Sequence, residues 1–257
     1  MTRRRYLFPI IFLLIFLSIV LGSCHVFRYF WWNVADQNDH EKFPSVQVGK
    51  SETYTHHFKY PLEKVGFEVP GKYQERDPNL SFEAFLEKNK TIAFLVLRND
   101  SLVYEKYFGK YSDSSVIMSF SVSKVFVSAL VGIAIDEGFI AGTDQPVTSF
   151  LQELGDKKEF QNITIEHLLN MRSGMKFTEG YLNPFADVAK FYYGRRLEEY
   201  IKDLKVTESP GLKYEYISSN TLLLSIIVER ATGVPFHIYT ENKLWKPMGM
   251  EYSATWS

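Results

Sequence analysis

The feature that most restricts the fold of this chain is an apolar run, residues 125–135, that directly follows Ser121 and Lys124. Nearly every position in the run is apolar and Gly138 follows it, which predicts a buried helix that ends at a glycine. Residues three apart share a face of a helix. The helix therefore predicts that the Lys124 amine lies beside the Ser121 hydroxyl.

This pair of side chains suits nucleophilic catalysis. A serine hydroxyl is a weak nucleophile until a neighbouring base takes its proton, and a lysine can be that base where burial lowers its pKa. The same spacing recurs at Ser173 and Lys176, but Gly174 indicates a helix exit there, so that lysine would not be held against its serine. The apolar helix favours Ser121 as the nucleophile. A solvated Ser/Lys pair is the alternative, and a second motif has to decide between them.

The second motif lies in residues 210–220, which read Pro-Gly-Leu-Lys-Tyr-Glu-Tyr-Ile-Ser-Ser-Asn. Another apolar helix pattern, residues 222–231, follows this segment, and Gly233 closes it. Taken alone, Tyr216 would be one packed aromatic in a chain with 16 tyrosines. Its position between the Pro-Gly turn and the helix makes it a candidate partner of Ser121.

Together the two motifs resemble the serine β-lactamase and penicillin-binding-protein superfamily, in its class C and esterase-like branch. That branch carries Ser-x-x-Lys, then Pro-Gly-x-x-Phe/Tyr-x-Tyr-x-Asn, a Leu-Leu-rich helix and Thr-Gly. Tyr216 falls on the catalytic tyrosine of this pattern. Ser218 stands where the pattern has asparagine, and Tyr-x-Ser resembles the sub-branch containing nylon-oligomer (6-aminohexanoate-dimer) hydrolases and related esterases. The resemblance covers roughly residue 81 to the end of the chain.

The resemblance implies an α+β fold of the β-lactamase/transpeptidase type, an antiparallel sheet flanked by helices plus a helical subdomain. Residues 79–257 would be the N-terminal part of this domain. Residues 91–97 and 102–108 predict two strands around a turn at Asn99 and Asp100. No match to the third family motif, Lys-Thr-Gly or His-x-Gly, is found. We therefore expect a chain truncated at the C-terminus, with a longer enzyme as its parent.

The resemblance also implies acyl transfer on a small-molecule or peptide-like amide or ester. Ser121 would attack the carbonyl, while Lys124 and Tyr216 move the proton. Ser218 would orient Lys124 or the substrate, and Tyr181 would contact the substrate unless it is only a surface loop aromatic. Two alternatives stay open: a penicillin-binding or sensor-type domain without efficient turnover, and a catalytically dead interaction module.

The composition limits the classes of partner and cofactor that are expected. A formal net charge of −1 gives no reason to expect a nucleic acid partner. The chain has one cysteine, six scattered histidines, and no HExxH, Walker or GxSxG motif, so no metal or cofactor is predicted.

The N-terminus predicts membrane targeting. Residues 3–5 are arginines and residues 7–21 are mostly apolar, so residues 1–24 are predicted to be a signal sequence or membrane anchor. Cys24 follows Leu-Gly-Ser, which resembles a bacterial lipoprotein box and predicts lipidation, with an uncleaved signal anchor as the alternative. Residues 25–78 would be a juxtamembrane tether, whose aromatic residues 26–32 suit a membrane interface. The catalytic domain would then lie in the cell envelope, outside the cytoplasm on the periplasmic or extracellular side.

Overall fold

The computed structural model describes residues 25–32, 35–60 and 65–257. The basic residues 3–5, the apolar run and Cys24 lie outside the described residues. Among residues 25–32, 35–60 and 65–257, no single helix is both long enough and apolar enough to cross a membrane. Two consecutive helical segments, Ser218–Thr232 and Phe236–Trp245, are long and apolar enough only when taken together, and the chain bends by 83° between them.

The described elements mix helices with short strands. The α-helices are α1 (His25–Trp32), α2 (Gly71–Gln74), α3 (Phe82–Lys88), α4 (Ser123–Asp136), α5 (Ile165–Leu169), α6 (Asp187–Tyr193), α7 (Leu197–Lys202), α8 (Ser218–Thr232) and α9 (Phe236–Thr240). The strands are β1 (Val46–Val48), β2 (Ala93–Arg98), β3 (Ser101–Tyr107), β4 (Met175–Lys176), β5 (Lys205–Val206) and β6 (Ala254–Trp256). Single 3₁₀ turns occupy Asp39–Glu41, Phe120–Val122, Val147–Ser149, Gln152–Leu154 and Lys158–Phe160, and Glu241–Trp245 forms a π-helical turn.

Three two-stranded sheets order these strands as β1–β6, β2–β3 and β4–β5, and the last two pairs are antiparallel. The predicted α+β class is confirmed. The described residues divide into two compact units. The first comprises residues 25–32, 35–48, 118–244 and 255–257, and the second comprises residues 49–60, 65–117 and 245–254.

The first unit is built on the contact between α4 and α8. On α4 the buried residues are Val127, Leu130, Val131 and Ala134, which lie on one face at helical spacing. The opposite face is exposed, with Val125 67% accessible, so the prediction of a helix buried nearly all round holds for one face only. The sequence pattern does not show this difference, because a helix that is apolar on all sides can still have one face exposed to solvent.

α8 begins four residues earlier than its apolar pattern, at Ser218, and ends at Gly233 in the left-handed region, as predicted. Its buried residues are mostly apolar and pack onto α4, α5 and α9. This packing fixes the two motifs relative to each other, because Ser121 precedes α4 and Tyr216 precedes α8.

The first unit also includes α1, from the region predicted to be a tether. α1 contacts α6, where the rings of Tyr29 and Tyr193 meet edge to face at 5.4 Å between centroids. The Arg28 side chain is buried and donates through Nε to the Tyr193 carbonyl. Part of the segment expected to link the membrane to the domain is thus packed against that domain.

The second unit contains the predicted hairpin. β2 and β3 pair from Ala93 opposite Tyr107 to Arg98 opposite Ser101. Asn99 and Asp100 both have positive φ, 50° and 56°, as a tight hairpin turn requires. This strand pair and its turn are confirmed.

Candidate active site

Ser121 lies in the 3₁₀ turn Phe120–Val122, immediately before α4. Phe120 has φ of 44°, in the left-handed region that bulky residues avoid. The hydroxyl of Ser123 donates to the Phe120 carbonyl at 2.7 Å and helps to hold this turn. Backbone strain of this kind concentrates at functional sites, where the surroundings maintain it. The strained residue directly precedes the predicted nucleophile.

The three side chains predicted to be catalytic meet at the Ser121 hydroxyl. Tyr216 donates from its hydroxyl to Ser121 Oγ at 2.7 Å. Lys124 donates from Nζ to the same oxygen at 3.2 Å. Lys124 Nζ also lies 5.2 Å from the centre of the Tyr216 ring. Two proton-carrying groups therefore flank one accessible serine hydroxyl, which is the geometry that nucleophile activation requires.

The segment before α8 positions Tyr216. The amide of Gly211 donates to the Arg172 carbonyl at 2.8 Å, and the amide of Glu215 donates to the Met171 carbonyl at 2.9 Å. Gly211 has φ of 83°, and a Cβ there would lie 3.1 Å from His167 Nε2. The Pro-Gly turn of the motif is therefore needed to bring the chain against residues 171–172 and Tyr216 towards Ser121.

Ser218 contacts a residue that sequence reasoning missed, Glu179. The amide of Ser218 donates to one carboxylate oxygen of Glu179, and its hydroxyl donates to the other at 3.2 Å. Ser218 is the first residue of α8, and the N-cap residue Ile217 has no polar side chain to bind the free amides. Glu179, from a loop, therefore caps this helix, and its negative charge suits a helix N-terminus.

Tyr181 lies at the same cluster. Its pKa is raised, first by loss of solvent around the hydroxyl and next by a hydrogen bond to Glu179. The hydroxyl also hydrogen-bonds Ser218. The structure therefore links Ser218 and Tyr181 through Glu179. Ser218 follows Tyr216 by two residues, so this cluster lies next to the predicted catalytic tyrosine. The signal in the sequence was only Glu-Gly-Tyr at residues 179–181, and no local pattern shows that this loop reaches α8.

The second serine-lysine spacing serves a structural purpose. Ser173 is 1% exposed and donates to Asn220 Oδ1 at 2.7 Å. Lys176 lies in strand β4. The exclusion of Ser173 as nucleophile agrees with this burial, because a substrate carbonyl could not reach its hydroxyl.

Comparison with known proteins agrees with the two motifs. The β-lactamase family profile matches residues 81–257. The chain belongs to the β-lactamase family. The 6-aminohexanoate-dimer hydrolase of Paenarthrobacter ureafaciens is 30% identical over 184 residues, which are 67% of this chain and 46% of that protein. PbpX of Bacillus subtilis (strain 168), named a "putative penicillin-binding protein", is 24% identical over 237 residues, 87% of this chain and 56% of that one.

The fold is similar to that of a solved structure from Bacillus anthracis, named a "putative 6-aminohexanoate-dimer hydrolase". The TM-score is 0.72 at 24% identity, over 86% of this chain and 60% of the other. This similarity confirms the predicted β-lactamase-like fold. The 30% identity to the Paenarthrobacter ureafaciens protein confirms the resemblance to 6-aminohexanoate-dimer hydrolases within this family. The chain spans about half the length of the curated relatives it matches.

Proposed function

We propose that this β-lactamase-family chain carries the nucleophilic centre of a serine hydrolase that acts on an amide or ester through an acyl-enzyme. One observation carries the proposal: the Ser121 hydroxyl accepts hydrogen bonds from both Tyr216 and Lys124, at 2.7 and 3.2 Å. A relative that covers two thirds of this chain is a 6-aminohexanoate-dimer hydrolase, which agrees with the reaction class.

The chemistry follows from this triad. One of the two flanking groups, in its deprotonated form, takes the Ser121 proton as Oγ forms a bond to the substrate carbonyl carbon. The backbone N–H of Ser121 supplies one donor for the developing oxyanion. The same proton then passes to the leaving amine or alcohol as its bond to carbon breaks. Water hydrolyses the acyl-enzyme by the reverse proton route and restores the serine.

Hydrolysis assays on the full-length protein test the proposal. A nitrophenyl ester should be turned over continuously, and Ser121→Ala should abolish this turnover. A labelled penicillin that attaches to Ser121, with no steady hydrolysis of the ester or of nitrocefin, would favour the penicillin-binding or sensor-type domain. No reaction with any of the three would favour an inactive interaction module.

We further propose that the N-terminus holds this domain at the outer side of the cytoplasmic membrane, with Cys24 lipidated. The support is sequence alone: three arginines, an apolar run and the only cysteine in the chain, placed after Leu-Gly-Ser. Metabolic labelling with a palmitate analogue should mark the wild-type protein and not Cys24→Ala. Equal labelling, or none in either protein, contradicts lipidation at this residue.

A further inference from the structure

Helix α1 has an unusual distribution of side chains between its two faces. The residues it buries against the first unit are Arg28 and Tyr29, which are 6% and 8% exposed. The residues it turns outward are aromatic, with Phe30 68% and Trp31 69% exposed. A helix at a water interface normally shows the opposite arrangement, with its apolar residues towards the core. The outward face of α1 is therefore suited to contact with an apolar environment.

A loop from elsewhere in the chain extends this apolar surface. Tyr29 donates from its hydroxyl to the Tyr181 carbonyl at 3.2 Å, and His25 hydrogen-bonds the backbone of Pro184. Residues 181–184 therefore run alongside α1. Loss of solvent is also the main reason that the pKa of His25 is lowered, in agreement with a packed contact.

Two large apolar residues of this loop point into solvent. Leu182, between the two contact points, is 80% exposed, and Phe185, next to Pro184, is 77% exposed. With Phe30 and Trp31 they form what we call the aromatic patch. Exposed apolar residues on two adjacent segments indicate an interaction site, whereas single ones need no explanation.

We propose that the aromatic patch inserts into the interfacial layer of a lipid bilayer; the proposal rests on the membrane location proposed above. The sequence before α1 favours a bilayer over other occupants. The apolar run of residues 7–21 ends shortly before α1 begins at His25. If that run or a lipid on Cys24 enters the bilayer, α1 starts at its surface. Phenylalanine and especially tryptophan are enriched at that depth, where their rings meet the headgroups.

The position of the patch has a consequence for the substrate. The loop that carries Leu182 also carries Tyr181, which lies at the Glu179 and Ser218 cluster beside the catalytic tyrosine. Insertion of the patch would hold this side of the active site at the membrane surface. The substrates best placed to enter are then amides or esters attached to the membrane or dissolved at its surface.

The depth of the loop can be measured without turnover. The full-length protein, with Cys24 kept as the proposed lipid attachment site, is reconstituted into phospholipid vesicles. The same protein without an introduced cysteine is carried through the labelling to measure any nitroxide on Cys24. A nitroxide is attached at Phe185→Cys or Leu182→Cys, and in the matched control at Glu159→Cys, an exposed residue outside the patch. Accessibility of each label to oxygen, which concentrates in lipid, is compared with accessibility to a water-soluble nickel chelate.

The proposal expects the labels at residues 182 and 185 to shift towards oxygen and away from nickel relative to residue 159. Nickel accessibility equal to that of the control would overturn it, because the patch would lie in water. Low accessibility to both reagents would also overturn it, because protein would then cover the patch. Vesicle flotation tests the membrane location separately. A protein that does not float with the vesicles contradicts both the membrane location and the insertion of the patch. A protein that floats but whose labels at residues 182 and 185 remain accessible to nickel contradicts only the insertion.

Discussion

Glu179 provides a quantitative test of how the site is held together. Its carboxylate accepts both the amide and the hydroxyl of Ser218 at the start of α8. Hydrogen bonds to a charged group contribute about 1.5–3 kcal/mol each. Because Glu179 is partly exposed, water replaces some of this, and we take the lower value for both bonds. Glu179→Ala should then lower the free energy of unfolding by about 3 kcal/mol, and we add no separate contribution for the charge at the helix terminus because the hydrogen bonds to this carboxylate already contain it.

Thermal melting of the full-length protein measures this loss. A change of 1 kcal/mol shifts Tm by about 2–4 °C in a domain of 150–250 residues, so Glu179→Ala should melt roughly 6–12 °C lower. Glu179→Gln keeps one acceptor for the amide and loses the charge, so about half of that decrease is expected. Glu159→Ala, at an exposed position, should stay within about 0.5 kcal/mol of wild type.

The same variants should affect catalysis through Tyr216, which lies two residues before the capped end of α8. We expect kcat to fall in Glu179→Ala, and Glu179→Gln to recover part of the rate. If both variants melt like Glu159→Ala, Glu179 does not cap α8. If stability drops while kcat is unaffected, the cap does not position Tyr216.

Three further outcomes are expected. Tyr216→Phe removes the 2.7 Å hydrogen bond to Ser121 and a proton-transfer group, so kcat should fall by about 10²–10⁴, with an unchanged Tm since Tyr216 is 37% exposed. Ser173→Ala leaves the buried Asn220 oxygen without its donor and should cost about 1–3 kcal/mol of stability, while the Ser121-dependent rate measured below the melting transition stays normal. Burial raises the pKa of Tyr193 to about 12. Between about pH 10 and 12 the folded protein therefore keeps this proton while the unfolded chain loses it, so the free energy of unfolding should fall as the pH rises. Urea unfolding at each pH should show a steeper fall in the wild type than in Tyr193→Phe.

The local part of the site could be predicted from the sequence. Ser121 and Lys124 are three residues apart at the start of an apolar helix, a spacing that favours one face, and the structure places their polar atoms 3.2 Å apart. The hairpin at Asn99 and Asp100 follows equally from turn chemistry. The meeting of Ser121 with Tyr216, 95 residues away, came from the resemblance and not from local pattern.

The contacts that no periodicity encodes could not be predicted. Glu179 reaches Ser218 across 39 residues because α5, α8 and the segment between them pack together, and a loop carboxylate carries no sign of its partner. The packing of α1 was missed for a similar reason. Its aromatic residues fit a membrane interface as well as a protein contact. Only the burial of Arg28 and Tyr29 shows which face of the helix packs against the protein.

The most direct test of the central claim is to locate the residue that reacts with a fluorophosphonate probe. The full-length protein is labelled, digested and mapped by mass spectrometry, together with Ser121→Ala and the matched serine variant Ser173→Ala. The account predicts the probe on Ser121 in the wild type and in Ser173→Ala, and none in Ser121→Ala. Labelling that persists in Ser121→Ala, or that disappears only in Ser173→Ala, would contradict it.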